Sequence, residues 1–407
     1  MRVFGDTTPL HDKQPLTAFI EITIAGHPLR SEYTNGQESR APEYIQSLEF
    51  NKLDTSGTFT IVLFDKNWTE LEETFNAGSQ VVTLRYGYVT GKQSPTYEAC
   101  VVDYTVRYVD SGVVLGINGL ITRAVPNLNL TTLNTGTNNP TDAVKSICRA
   151  NGWKIGNFDE TKNVSLPNSD YFTLIKEHPI SYINLRIAPY AIRKSDGMSG
   201  FRLVLDNTTS PATAHFLPLV AQEVSKKTYI CRKGINSSVI SFDVVAKGIF
   251  GGMGLTNTTM SAQVSTIDPL TGDVSDTEVE SSYAARDDSI PTTDQKDVVS
   301  SNGVSHEMAI SSAKFSTSLR TSIPYEGTLT ILGDPALSIG DVVRVIIPTS
   351  KGELHVSSGS YLITAISETV SNGNYLTSLS VVRVADYNVF NPEDPVEILS
   401  YKEVAKS

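Results

Sequence analysis

The sequence predicts a mainly β protein with an α+β insertion: two antiparallel β-barrel domains, a mixed domain between them, and a subdomain inserted into the second barrel. Three observations carry this expectation. Apolar and polar residues alternate through most of the chain, glycine-bearing turns recur at matched spacing in two distant segments, and the texture between those segments changes to helical spacing.

The first barrel is assigned to 1–125. Ile20, Ile22 and Ile24 alternate with Glu21 and Thr23, as a strand with one buried face requires, and Gly26 ends the run. Runs at 45–50 and 59–64 flank Asp54-Thr55-Ser56-Gly57 and read as a hairpin. Trp68, Leu71, Glu72 and Phe75 fall at helical spacing, which predicts one short helix before Gly78. Strands resume at 81–88, 99–109 and 113–122, with the turn at Asp110-Ser111-Gly112. In the run from Cys100, strict alternation puts Val102, Tyr104, Val106 and Tyr108 on one face and Asp103, Thr105 and Arg107 on the other. The apolar face is expected to fill the barrel.

Residues 126–227 form the mixed α+β domain. Asn139-Pro140-Thr141-Asp142 opens a helix whose Ala143, Val144, Ile147 and Cys148 make an apolar stripe, stopped at Asn151-Gly152. A second helical stretch is expected within 181–194, ended or kinked by Pro189, and 201–205 with 215–217 read as a hairpin. The second barrel comprises 228–247 and 308–386, with strands at 239–245, 315–322, 327–332, 341–347, 359–370 and 375–384 and a hairpin turn at Asn372-Gly373. Between its two parts, 248–307 is rich in Ser, Thr and Asp and too long for a structureless loop, so it reads as an inserted subdomain or mobile excursion. Residues 387–407 read as an extended C-terminal tail.

The two barrels echo one another. From Gly78 to the turn glycine Gly112 is 34 residues, and from Gly340 to Gly373 is 33. Leu63-Phe64-Asp65 ends one strand as Leu332-Gly333-Asp334 ends another, and the shorter step from Asp334 to Gly340 is met if the second copy lacks the short helix.

Charge and chemistry narrow the function. With 33 basic and 44 acidic residues among 407, the net charge of −11 repels nucleic acid, so tight DNA binding is not expected. Three separated cysteines offer neither a disulfide framework nor a zinc site. The sequence shows no bilayer-spanning apolar run and no secretory signal, so no membrane anchor is expected, and the Asn-x-Ser/Thr triplets read as general Asn and Thr richness. His306-Glu307 lacks the second imidazole of a zinc helix, because Ile310 stands in its place. Gly248 to Gly254 lacks the Lys-Ser/Thr pair of a phosphate loop, and no G-x-S-x-G elbow occurs. The expectation is a protein without catalytic residues, cofactor or metal.

The words Gly327-Thr-Leu-Thr-Ile-Leu-Gly-Asp-Pro335, Ile339-Gly-Asp-Val-Val343, Ser358-Gly-Ser-Tyr-Leu-Ile-Thr364 and Tyr375-Leu-Thr-Ser-Leu379 carry a resemblance. So does the order of domains. The chain resembles the baseplate hub family of contractile phage tails, the late control protein D-like tail hubs. That resemblance implies two tube-like antiparallel β-barrel domains per chain and a homotrimer forming a ring of pseudo-sixfold symmetry. The ring would adapt a hexameric tail tube protein to a trimeric spike protein, with baseplate wedge and tape-measure proteins as further partners. DNA would pass through without tight binding, in a virion tail baseplate assembled in the host cytoplasm. Within it, Asp103, Thr105 and Arg107 would face the lumen or a subunit contact, while Gly78, Gly112, Gly333, Pro335, Gly340 and Gly373 are structural turns. Two other readings stay open: the tail-tip hub of a non-contractile phage, and a glycan-active or glycan-binding β protein.

Overall fold

The computed structural model describes residues 18–24, 27–30, 45–53, 55, 57–65, 81–89, 91–121, 130–164, 166, 171–195, 197–206, 211–218, 226–231, 238–246, 261–267, 274–280, 297–302, 306, 309–310, 313, 325–347, 355, 357–371 and 373–386. The expected helix at 68–75, Gly78, the expected strand at 315–322 and the tail at 387–407 lie outside the described residues.

The alternating runs form the strands expected of them. In the first half these are β1 (Ala18–Ile24), β2 (His27–Arg30), β3 (Ile45–Lys52), β4 (Gly57–Asp65), β5 (Val81–Tyr88), β6 (Tyr97–Val109) and β7 (Gly112–Ile121). The mixed segment holds β8 (Thr131–Asn134), α1 (Pro140–Ala150), β9 (Lys154–Phe158), β10 (Thr173–Glu177), β11 (Phe201–Asp206) and β12 (Thr213–Pro218). Beyond it come β13 (Lys227–Ile230), β14 (Val239–Ala246), β15 (Ser261–Ile267), β16 (Val274–Glu280), β17 (Asp297–Asn302), β18 (Tyr325–Leu332), β19 (Val342–Ile346), β20 (Gly359–Ser371) and β21 (Asn374–Asp386).

One thirteen-stranded sheet runs through both barrel segments. Its first half is ordered β3-β4-β7-β6-β5-β1 and its second β14-β18-β21-β20-β19-β13. The order is the same, and two irregularities recur, although β20/β21 carries a further slip between Ser360 and Tyr361 that β6/β7 lacks. The β3/β4 ladder slips between Ile45 and Ser47, and β14/β18 slips between Val239 and Ser241. The β6/β7 ladder slips between Val101 and Asp103, and β20/β21 slips between Ile363 and Ala365. A bulge inserts one unpaired residue, here Val102 and Thr364, and switches which side chains face the core. Two bulges at matching places in each half are hard to reconcile with unrelated sheets. The halves differ at one edge, where β1 runs antiparallel to β5 but β13 runs parallel to β19.

The halves are joined by strand pairing. The first part of β20 pairs with β19, and its last part leaves that neighbour to pair with β3, Ile366 opposite Lys52 through Ser371 opposite Ser47. Each half keeps its own apolar core: Ile20, Ile22, Phe50, Phe59, Ile61 and Leu84 in the first, Leu329, Val343, Val345, Tyr361, Ile363 and Leu379 in the second. Each such side chain removed from water contributes about 1.5–3 kcal/mol.

The mixed segment packs separately. Asn139 caps α1, its side chain accepting from the Asp142 N–H at 3.2 Å, and Pro140 occupies the first turn, where its missing N–H costs nothing. The buried stripe of Ala143, Val144, Ile147 and Cys148 meets Leu203, Leu205 and Phe216 of the β11–β12 hairpin, against which β9 runs parallel. The second helical stretch is a single α turn over Pro179–Tyr182, a π turn over Ile183–Ile187 and a 3-10 turn over Ala188–Tyr190. Pro189 falls where the π turn gives way to the 3-10 turn, and the stretch ends at Tyr190. Within 248–307 the described residues form a three-stranded sheet, β16-β15-β17, with Val264, Val279, Ala309 and Ala313 as its small core. No strands were expected there, because Ser and Thr mask the alternation.

Candidate functional site at the junction of the two half-sheets

The junction strands place a carboxylate in the core. After the bulge, Ile366, Glu368 and Val370 face inward from β20, and Glu368 is 1% exposed. Its Oε1 accepts from the Tyr375 hydroxyl at 2.9 Å, its Oε2 accepts from the Tyr86 hydroxyl, and Lys52 Nζ stands 3.1 Å from the same Oε2. Lys52 and Tyr86 belong to the first half-sheet, Glu368 and Tyr375 to the second. Rings fill the space around them, with Phe50 and Tyr97 centroids 4.8 Å apart and Tyr86 edge-on to Tyr375 at 5.8 Å. Burial pulls the Lys52 ammonium down, but Glu368 and Tyr97 outweigh it and hold Lys52 above the usual lysine value. Burial, with the Glu368 charge adding to it, drives the Tyr86 and Tyr375 hydroxyls well above the tyrosine range. The arrangement ties the halves together, with each carboxylate oxygen satisfied by a donor.

A second tie lies where the sequence showed only punctuation. Asp334 follows β18, its N–H donating to Thr377 Oγ1 at 3.0 Å, and it pairs with Lys227 and, at 3.3 Å, with Lys92 of the first half. Burial raises its carboxyl, yet the two ammoniums outweigh burial and hold it below the usual carboxylate value. Asp341 holds Lys226 at 2.6 Å and accepts from the Ser338 N–H. Gly333 is needed because a Cβ there would lie 2.1 Å from the Tyr375 ring. Gly340 has φ +89°, and a Cβ would meet the Arg202 guanidinium of the mixed segment at 1.7 Å. Pro335 sits between them, lining with Lys52, Tyr97, Arg202, His215 and Asp341 a cleft of about 410 Å³ where the three parts of the chain meet. Gly112 and Gly373 have positive φ in the two hairpin turns.

The residues proposed for lumen or contact do share a face. Asp103, Thr105 and Arg107 are exposed and stand opposite Asn118, Gly116 and Val114. The Asn118 amide donates to Asp103 Oδ1 at 2.7 Å. The apolar face departs from expectation. Tyr104, Val106 and Tyr108 lie opposite the buried Ile117, Leu115 and Val113, yet are 46%, 42% and 57% exposed, and Val102 is 62% exposed. They do not fill the barrel. The bulge takes Val102 out of the set, and among the described strands only β7 pairs alongside the other three. Sequence reasoning missed Glu368, Lys52 and Asp334 as partners. The one available signal was a glutamate in phase with Ile366 and Val370.

Among the described residues, no three His, Cys, Asp or Glu side chains come together as a metal site, and no helix is long and apolar enough to cross a membrane. Cys100, Cys148 and Cys231 are unbridged.

This fold is similar to that of solved tail proteins. The tail protein from Neisseria meningitidis MC58 is similar over 93% of this chain and 99% of its own, with a TM-score of 0.58 at 10% identity. The 43 kDa tail protein of prophage MuSo2 from Shewanella oneidensis is similar over 90% and 98%, with a TM-score of 0.53 at 13% identity. No protein-family model matches the sequence, and no curated protein matches it.

Proposed function

We propose that the chain is a structural baseplate hub of a phage tail. Three copies form a ring in which each supplies two wall segments, so that a threefold assembly presents six near-equivalent segments to a hexameric tail tube on one side and a trimeric spike on the other. Wedge and tape-measure proteins are further neighbours, and DNA passes through the ring. The work is mechanical rather than catalytic, and the buried, fully paired Glu368 suits a fastener better than a reacting group.

The observation that carries this reading is the repeated register: two half-sheets with the same strand order and two matching bulges lie side by side in one sheet. The likeness to tail proteins over nearly the full length of both chains supports it. So does the face opposite the core. Thr369, Glu49, Thr60, Asn118 and Asp103 make one polar row across five strands of both halves, a row without a lysine or arginine to hold DNA. Light scattering of the purified chain should give three times the chain mass, and with tube and spike proteins a complex that holds three copies of it. A chain that stays monomeric in every mixture rejects the hub.

A further inference from the structure

The long strands β6 and β20 are equivalent, but only one of them is complete. Aligned on their bulges and turns, Tyr104, Val106 and Tyr108 of β6 correspond to Ile366, Glu368 and Val370 of β20. The latter are 1%, 1% and 2% exposed because β3 pairs alongside them. The former are about half exposed, and among the described strands only β7 pairs with residues 103–109. The equivalent of β3 in the second half is β14, and among the described strands β14 pairs only with β18. No described strand pairs with its other edge, where Val245 is 59% exposed, and Phe242 and Val244 are only partly buried although the equivalent Leu48 and Phe50 are 0% and 1% exposed. One chain therefore holds both halves of a second junction, on β14 and on the far part of β6, with six strands of the path between them. Exposed apolar strand edges of this kind pair with another chain.

We infer that residues 104–109 of one copy pair antiparallel with residues 241–246 of the next, in the register that β20 makes with β3. The occupant of each of these edges is a second copy of this chain. Transferring Thr369 opposite Glu49 and Ser367 opposite Asn51 to the new junction sets Arg107 opposite Asp243 and Thr105 opposite Val245. Val370 opposite Leu48 becomes Tyr108 opposite Phe242. An opposite-charge pair, an aromatic pair and a β-branched pair fall on one another in a register fixed without reference to their chemistry. The contact is head to tail, the kind that closes rings, and it alternates with the internal junction so that each wall segment meets its neighbours in the same way. This inference rests on the hub reading and adds the surface and register.

Two measurements on the full-length chain test it. Arg107→Asp or Asp243→Arg alone puts like charges opposite each other and should weaken self-association about tenfold or more, and the double exchange should restore it. In a background of Cys100→Ser and Cys231→Ser, Thr105→Cys with Val245→Cys should cross-link copies under mild oxidation, whereas Thr105→Cys with Val244→Cys, on the wrong face, should not. All the reversed or cross-linked positions except Val244 are exposed, so folding is not at stake in the variants that decide the matter. A trimer by mass that shows neither cross-link nor charge rescue overturns this pairing and leaves the hub standing. A monomer in the presence of tube and spike overturns both.

Discussion

At Glu368 a single carboxylate meets donors from both half-sheets, so its loss leaves the Lys52 ammonium and two hydroxyls without their acceptor. Removing one partner of a buried pair costs about 3–5 kcal/mol, and Glu368→Ala should lose that much in urea unfolding, with Glu368→Gln losing less because its amide oxygen still accepts. The same groups set the response to pH. Lys52, Tyr86 and Tyr375 are raised in the folded chain, so their contribution is complete below their unfolded values near ~10 and disappears as pH rises through the folded ones. Asp334 is depressed, so its contribution is complete above ~4 and is lost as pH falls through the lower folded value. Urea midpoints should therefore hold level from about pH 5 to 9 and fall on both sides, and Glu368→Ala should flatten the alkaline fall. A midpoint that rises above pH 10 contradicts the assignment. Of these residues the sequence made Gly333 and Gly340 legible as turns, but not the Tyr375 ring and Arg202 guanidinium that crowd them, because those contacts join distant segments.

Strands and turns were legible because their signals are local. Alternation located β1, β3 to β7, β14 and β18 to β21, and the Asn-Pro opening located α1. The bulges were not legible, since one extra residue leaves no mark in composition while reversing the phase of everything beyond it. Tyr361 and Ile363 pack into the second core before the bulge in β20, and Ile366 and Val370 are buried after it, so the inward phase changes at Thr364. The bulge is thus part of the fold's specification. Deleting Thr364 should force one set of inward residues outward, at about 1.5–3 kcal/mol for each large side chain, enough to abolish soluble protein. Thr364→Ala loses only the hydrogen bond from its hydroxyl to the Ser380 carbonyl, about 1 kcal/mol. Equal soluble yields of the deletion and the alanine variant would falsify the role given to the bulge.

For the whole molecule, the polar face of the sheet and the acidic balance bear on the same question, how a ring could enclose DNA without holding it. Cross-strand registers line up Thr330, Ser378, Ser367, Asn51 and Thr58 in a second row beside the one ending at Asp103. Hydroxyls and amides dominate both rows, and their bonds run along the wall: Thr60 donates to Asn118 at 2.8 Å and Asn118 to Asp103. Duplex binding draws its salt-dependent strength from lysines and arginines that displace counterions from phosphate, and a wall of this composition under a net charge of −11 gives up that term. In the proposed ring Arg107 faces Asp243 of the next copy, which neutralises the one cation among Asp103, Thr105 and Arg107. The wild-type assembly should show no submicromolar duplex binding at about 0.15 M salt. Exchanging Glu49, Asp103 and Ser367 for lysine in every copy should create binding that weakens steeply as salt rises. If the wild type already binds duplex tightly and salt-sensitively, passage is not what this wall is built for. If the lysine variant assembles yet stays inert to DNA, the polar face does not line the channel.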